Sequence, residues 1–237
     1  MTPSQSPNFL ETPPTRLDGY PGDWPGDGEF NLAIHELPHA SSTIEWWYVN
    51  SHLTTEDGGR FSVFASFFRS VVGEDEQSGN PLYAYSVTWG TIDANNQTYL
   101  TTSLIDRCAP QVGLKSIESG TSQTDPLLQR ALREVFAKDD VPLPDRLLKN
   151  NVFVNPQKLE LDFDGNQFMK LDDSCYKLKL IREDCKVGCE LLFKPEKPVI
   201  RHGDNGIVQG PSGEGMFYYF IPRLRCYRNN YPGRSVP

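Results

Sequence analysis

From Glu45 onward, bulky and small or charged side chains alternate in short runs, each closed by a turn signal. Period two is the repeat of a β-strand, whose successive side chains point to opposite faces, so this pattern commits the chain to sheets. Tyr83, Tyr85, Val87 and Trp89 share one face, while Ala84, Ser86, Thr88 and Gly90 share the other, a thin face that could leave room for a ligand. Phe61, Val63, Ala65 and Phe67 lie on one side of the preceding strand, with Phe64 and Phe68 behind, which predicts cover on both faces. Leu159, Leu161 and Phe163 alternate with Lys158, Glu160 and Asp162 before the tight turn Asp164-Gly165-Asn166, a hairpin with one wet face. A second hairpin pairs Tyr176–Ile181 with Val187–Phe193, in a register that places Cys189 near Leu180 and Cys175 near Lys194.

One helix interrupts the strands. Asp125 suits the N-cap and Pro126 the first helical position, and Leu127, Leu128, Ala131, Leu132, Val135 and Phe136 form one stripe. A short further turn is expected from Pro144 to Lys149. The expected architecture is a sheet or barrel of eight or more short strands with one inserted helical segment. Glycine and proline, 19 each in 237 residues, agree with so many turns.

The first 40 residues hold Pro3, Pro7, Pro13, Pro14, Pro21, Pro25 and Pro38 and show no apolar period. They read as an arm (1–40), tacked down by Tyr20, Trp24 and Phe30, ahead of a β domain (41–237) whose helical insert spans about 125–149. With 31 acids against 23 bases the net charge is −8, which argues against general nucleic-acid binding, since phosphate neutralisation needs a basic face. No run approaches the ~18 apolar residues of a membrane helix, and no basic segment feeds an apolar one at the start. The expected location is cytoplasmic, free or peripheral to membranes. Cys108, Cys175, Cys185, Cys189 and Cys226 contain no CxxC pair, so the expectation is reduced, mostly buried thiols and no metal. The sequon Asn96-Gln97-Thr98 is silent without export.

Two clusters could carry chemistry. In Ile44-Glu45-Trp46-Trp47-Tyr48-Val49-Asn50-Ser51-His52-Leu53, Glu45 shares a strand face with Trp47, and Trp46 shares the other with Tyr48 and His52. An acid beside two indoles in a dry cavity gains a raised pKa and becomes a proton donor. The same residues also suit a core role, in which the indoles fill space and Glu45 pairs with an arginine, Arg223 being one choice. The second cluster runs from Lys197-Pro198 through Arg201-His202-Gly203-Asp204-Asn205-Gly206 to Tyr218-Tyr219-Phe220-Ile221-Pro222-Arg223-Leu224. Its adjacent tyrosines point to opposite faces, one of them toward a cavity. No GxSxG elbow, phosphate-binding glycine loop, dinucleotide fingerprint or HExxH helix is present, so a hydrolase is the weakest reading.

Together and in this order, Glu45-Trp46-Trp47-Tyr48 with His52-Leu53, and Lys197-Pro198 to Gly206 followed by Tyr218-Tyr219-x-x-Pro222-Arg223-Leu224, resemble the lipocalin-like carotenoid 1,2-hydratase family over about residues 35–228. Hydroxyneurosporene synthase, AttH-like proteins, kievitone hydratase and, more distantly, lipocalin-like Diels-Alderases belong to it. The resemblance implies a mainly β, lipocalin-like antiparallel barrel or sandwich, here as the N-terminal domain only. It implies a lyase or an isomerase/cyclase without redox cofactor, acting on a hydrophobic isoprenoid or polyketide-like molecule. Such an enzyme protonates a double bond, or folds its substrate into a reactive conformer, in an aromatic-walled pocket. Glu45 is then the proton donor, with Trp46, Trp47, Tyr48, Trp89, Tyr218 and Tyr219 against the substrate, and Arg223, His52, His202 and Asp204 as framework. The family continues into a second domain whose Trp-x-Asp motif supplies a proposed donor. This sequence has no such aspartate before Pro237, so the chain is expected to be the first domain of a longer protein or a short form that works otherwise. The expected partners are the apolar ligand and either a second lipocalin-like domain or a homo-oligomer. The alternative from another class is a non-catalytic module that shelters an apolar ligand.

Overall fold

The structure is a computed structural model and describes residues 21–228 except 27, 123, 172–174, 204 and 210–214. Asp204 and Tyr20 therefore lie outside the described residues. The arm segment carries one helical turn, α1 (Leu32–His35), capped by Asn31, whose side chain accepts from the Ala33 N–H. Four long strands follow as an antiparallel meander: β1 (Ile44–Thr54), β2 (Arg60–Glu74), β3 (Pro81–Asp93) and β4 (Thr98–Ile105). Two helices, α2 (Ala109–Glu118) and α3 (Pro126–Phe136), lead to β5 (Arg146–Leu147), which lies parallel to β4. The second sheet begins with β6 (Phe153–Val154), β7 (Glu160–Phe163), β8 (Asn166–Lys170), β9 (Tyr176–Arg182) and β10 (Val187–Pro195). Then β11 (Ile200–Arg201), β12 (Ile207–Gln209), β13 (Gly215–Phe217) and β14 (Tyr219–Phe220) form two short ladders, β11 with β14 and β12 with β13. Finally β15 (Leu224–Arg228) adds to the free edge of β10.

The two sheets run β1-β2-β3-β4-β5 and β15-β10-β9-β8-β7-β6, each with two free ends. The mainly β expectation holds, as an open sandwich rather than a closed barrel. The inner faces are the ones that alternation marks. Trp47, Val49, Val63, Ala65, Phe67, Val87 and Trp89 from the first sheet meet Leu161, Phe163, Phe168, Leu178, Leu180 and Phe193 from the second in one core. Phe67 joins the layers, edge-on to Phe163 at 5.3 Å and stacked on Phe168 at 6.3 Å. Phe64 on the outer face is 42% exposed, so the predicted cover on both sides of β2 does not exist there.

Three local expectations are met and two are corrected. Asp164 and Gly165 both adopt positive φ in the β7–β8 turn, and Cys189 opposes Leu180 in the β9–β10 ladder. Asp125 caps α3, its carboxylate accepting from the N–H groups of Leu127 and Leu128. A further helix, α2, which the sequence did not announce, precedes the expected insert, and the expected turn at 144–149 is instead the short strand β5, tied to β4. In α2 Pro110 occupies the start, and Gly113 lets the ring of Phe136 come close. Cys185 is exposed and the other four cysteines are partly buried. No described helix is long and apolar enough to cross a membrane.

Candidate functional site

A cavity of about 910 Å³ opens where the arm segment, the first half of β1 and the 216–224 stretch converge over one end of the sandwich. Its floor is core: Leu159, Phe168, Tyr176 and Phe193. Its walls are mostly aromatic, contributed by Trp24, Trp46, Trp47, Tyr48, Phe217, Tyr218 and Tyr219. Such a concave, largely apolar space with few polar groups is the usual form of a small-molecule site. The thin face of β3 plays no part in it; Ala84, Ser86, Thr88 and Gly90 point to the outer side of the first sheet.

Period two on β1 distributes the expected residues. Trp47 faces inward, is buried, and donates from Nε1 to the Glu36 carbonyl at 3.3 Å. Trp46 and Tyr48 face outward and meet Tyr218, with ring centroids 6.0 and 6.4 Å away. The Tyr48 and Tyr218 hydroxyls are 2.8 Å apart, and burial, reinforced by that bond, pushes the Tyr48 phenol up to about 12. His202 leans on the Tyr218 ring at 5.0 Å. Trp46, Tyr48, Tyr218 and His202 thus form one aromatic wall. Tyr219 turns the other way, against Phe30 at 4.5 Å and Phe217 at 6.3 Å. Burial, then the charges of Glu36 and Glu45, hold its phenol well above the usual range.

Three expected residues sit elsewhere. Trp89 is 1% exposed inside the sandwich core and does not line the cavity. His52 is exposed and bonds Ser62 across the ladder at 2.8 Å. Arg223 pairs with Glu196 at 2.9 Å rather than with Glu45, because it lies beyond β14 on the solvent side.

Glu45 finds its arginine in Arg69, directly opposite it in the β1–β2 register. The Arg69 guanidinium donates to Glu45 Oε2 and, at 2.7 Å, to the His39 carbonyl, and it covers the Tyr83 ring at 4.3 Å. Glu45 Oε1 accepts twice more, from the His39 backbone N–H at 2.8 Å and from His39 Nδ1 at 2.7 Å. Both oxygens of Glu45 are engaged as acceptors, which is the geometry of a framework carboxylate.

The sequence reading missed a second carboxylate. Glu36, at the end of α1 and 4% exposed, accepts from the Tyr176 hydroxyl at 2.8 Å and pairs with Lys170. Burial raises its pKa despite both partners. His35 beside it is buried, accepts at Nδ1 from the Asn31 N–H at 3.0 Å, and is pushed below its usual range by burial, then by His39 and Arg201. Proline-rich composition hid this segment. The available signal was His35-Glu36 and His39 within a few residues of the Glu45 strand.

No family model matches the sequence, and no curated protein does. Among solved structures, the chain is similar to a crystal structure at 2.00 Å of a provisionally assigned AttH from Nitrosomonas europaea. The TM-score is 0.54 with 16% identity, over 89% of this chain and 49% of that one. The chain therefore spans about half the length of this neighbour. At that identity the likeness concerns the fold alone: the chain has an AttH-like, lipocalin-like β fold.

Proposed function

We propose that the protein is a small-molecule enzyme of hydratase, isomerase or cyclase type that acts on a hydrophobic isoprenoid or polyketide-like substrate in the aromatic cavity. The observation that carries this reading is the meeting of an apolar, aromatic-walled space of about 910 Å³ with a buried carboxyl, Glu36, whose pKa burial raises. A carboxyl that is harder to ionise is a better proton donor, and π faces stabilise the cation that alkene protonation creates. Trp46, Trp47, Tyr48, Tyr218 and Tyr219 shape the substrate, and Glu45 serves as framework rather than donor. The reaction needs only water or a proton shift within the substrate, so the reading invokes no redox cofactor.

The test is incubation with hydrophobic polyenes and polyketides, followed by mass spectrometry. Gain of one water, or an isomer of unchanged mass and altered retention, supports the proposal. Quenching of Trp46 fluorescence by a ligand that is never converted leaves the carrier reading. That second reading is favoured by one observation: both cavity carboxylates already accept from several protein donors. Coverage of only 49% of the structural neighbour also supports a variant in which a partner domain completes the cavity.

A further inference from the structure

Within the wall of the same cavity, His39 stands in an arrangement that the proposed function leaves unused. Its Nδ1 lies 2.7 Å from Glu45 Oε1, while Arg69 fixes the other oxygen of that carboxylate and holds the His39 carbonyl at 2.7 Å. A ring nitrogen facing a carboxylate is the protonated one, so in the neutral ring Nε2 carries the lone pair. Nε2 is shielded from water and has no hydrogen-bond partner among the described residues. A buried polar atom without a partner is costly, and a ligand group seated against it removes that cost. Three features coincide: an oriented imidazole that lines the cavity, a carboxylate behind it, and an unpartnered Nε2 that is covered in the ligand-free structure and that a substrate reaches by displacing its cover. This is how a general base is held, and in ligand-free sites such groups commonly close on the substrate only when it binds.

We propose that His39 is the proton-transfer residue of this cavity, with Glu45 and Arg69 as its positioning residues, and that its substrates are hydrophobic molecules with a C–H next to a carbonyl. In the step, Nε2 takes the α-proton, the C–H electron pair moves into the enolate, and the Glu45 carboxylate balances the imidazolium. The proton then returns from Nε2 to the same carbon, or to the γ-carbon of an enone. When the imidazolium swaps its proton with water before the return, the net result is exchange of the α-hydrogen with solvent; otherwise it is a double-bond shift, and no reactant beyond water is needed. Tyr219 lines the same cavity, and its phenol, held protonated by burial, can donate to the enolate oxygen. The proposal rests on the cavity being a small-molecule site, but it does not depend on Glu36 acting as an acid.

The test follows α-deuteration of geranylacetone, an isoprenoid ketone, by mass spectrometry in D₂O, with binding followed separately by tryptophan fluorescence. The expected result is exchange by the unaltered protein well above buffer and loss of about 10²-fold or more in His39→Gln, the range a general base contributes. Glu45→Gln, which keeps side-chain size, should lower the rate at saturating ketone while leaving its affinity within about twofold. Asp125→Ala, on the distant α3 cap, should exchange like the parent. Should His39→Gln fail to fold, the Glu45→Gln split between rate and affinity decides the matter. Binding without exchange, or undiminished exchange in His39→Gln or Glu45→Gln, overturns the role of His39 and leaves the small-molecule reading standing. Absence of any binding removes the small-molecule reading, and this proposal with it.

Discussion

Glu45 and Arg69 face each other across the β1–β2 ladder and pair on its inner side, both about nine-tenths buried. Removing one member of a buried pair strands the other charge, at a cost of about 3–5 kcal/mol, far more than the pair itself contributes. Glu45→Ala should therefore lower the unfolding free energy in urea by about that amount, and Glu45→Gln by less. A loss under 1 kcal/mol for Glu45→Ala would mean that water reaches Arg69.

That pair also shows what the sequence could and could not reveal. The inward face of β1 was legible, because Glu45, Trp47 and Val49 share one parity and strands have period two. The choice of Arg69 over Arg223 was not. It depends on register between strands and on where β14 ends, and no local pattern encodes either. The same limit hid Glu36 and His39: a segment without period gives no face, so its contacts exist only once the sandwich is built under it. Trp89 failed in the opposite sense. Its parity was right, but parity names the inner face without saying which part of that face is core and which is cavity. The α3 helix was legible from Asp125, Pro126 and its apolar stripe, whereas α2 has a weak stripe and a glycine where Phe136 packs.

Glu36 should make stability fall with rising pH. Burial lifts its folded-state pKa above the ordinary glutamate value, so the folded protein binds more protons than the unfolded chain between the two values. The stabilising contribution is complete below the unfolded pKa and is lost as pH rises through the folded one. Urea unfolding from pH 4 upward should show this decline, and Glu36→Gln, which cannot ionise, should flatten it. An identical slope in parent and variant would assign the pH dependence to other groups.

Phe67 is the aromatic hinge pin of the sandwich, 1% exposed between Phe163 and Phe168. Phe67→Ala should cost about 3–5 kcal/mol from lost transfer energy and the cavity left behind. A backbone counterpart is Gly188, where an added Cβ would stand 2.5 Å from the Leu180 carbonyl oxygen. Gly188→Ala should force the β9–β10 ladder apart and destabilise by roughly 1–3 kcal/mol, as overpacking does. Chemical denaturation of both variants checks these values, and a neutral Gly188→Ala would show that the ladder relaxes freely.

Arg201 ties the arm segment to the short ladders. Its guanidinium donates to the carbonyls of Gly26 at 2.7 Å, Gly28 at 2.6 Å and Asn205 at 3.3 Å, while Phe30 and Phe217 flank it at 5.9 Å each. Hydrogen bonds from a charged donor contribute about 1.5–3 kcal/mol each, and about 1.4 kcal/mol of local opening energy is a tenfold change in the open population. Arg201→Gln keeps one donor group and loses the fork, so the arm should open at least about tenfold more often while the sandwich stays folded. Chymotrypsin cleavage at Trp24 and Phe30 should accelerate by that factor, with the urea midpoint of the core barely moved. Unchanged cleavage would show that the aromatic contacts of Phe30 with Phe217 and Tyr219 hold the arm without the arginine.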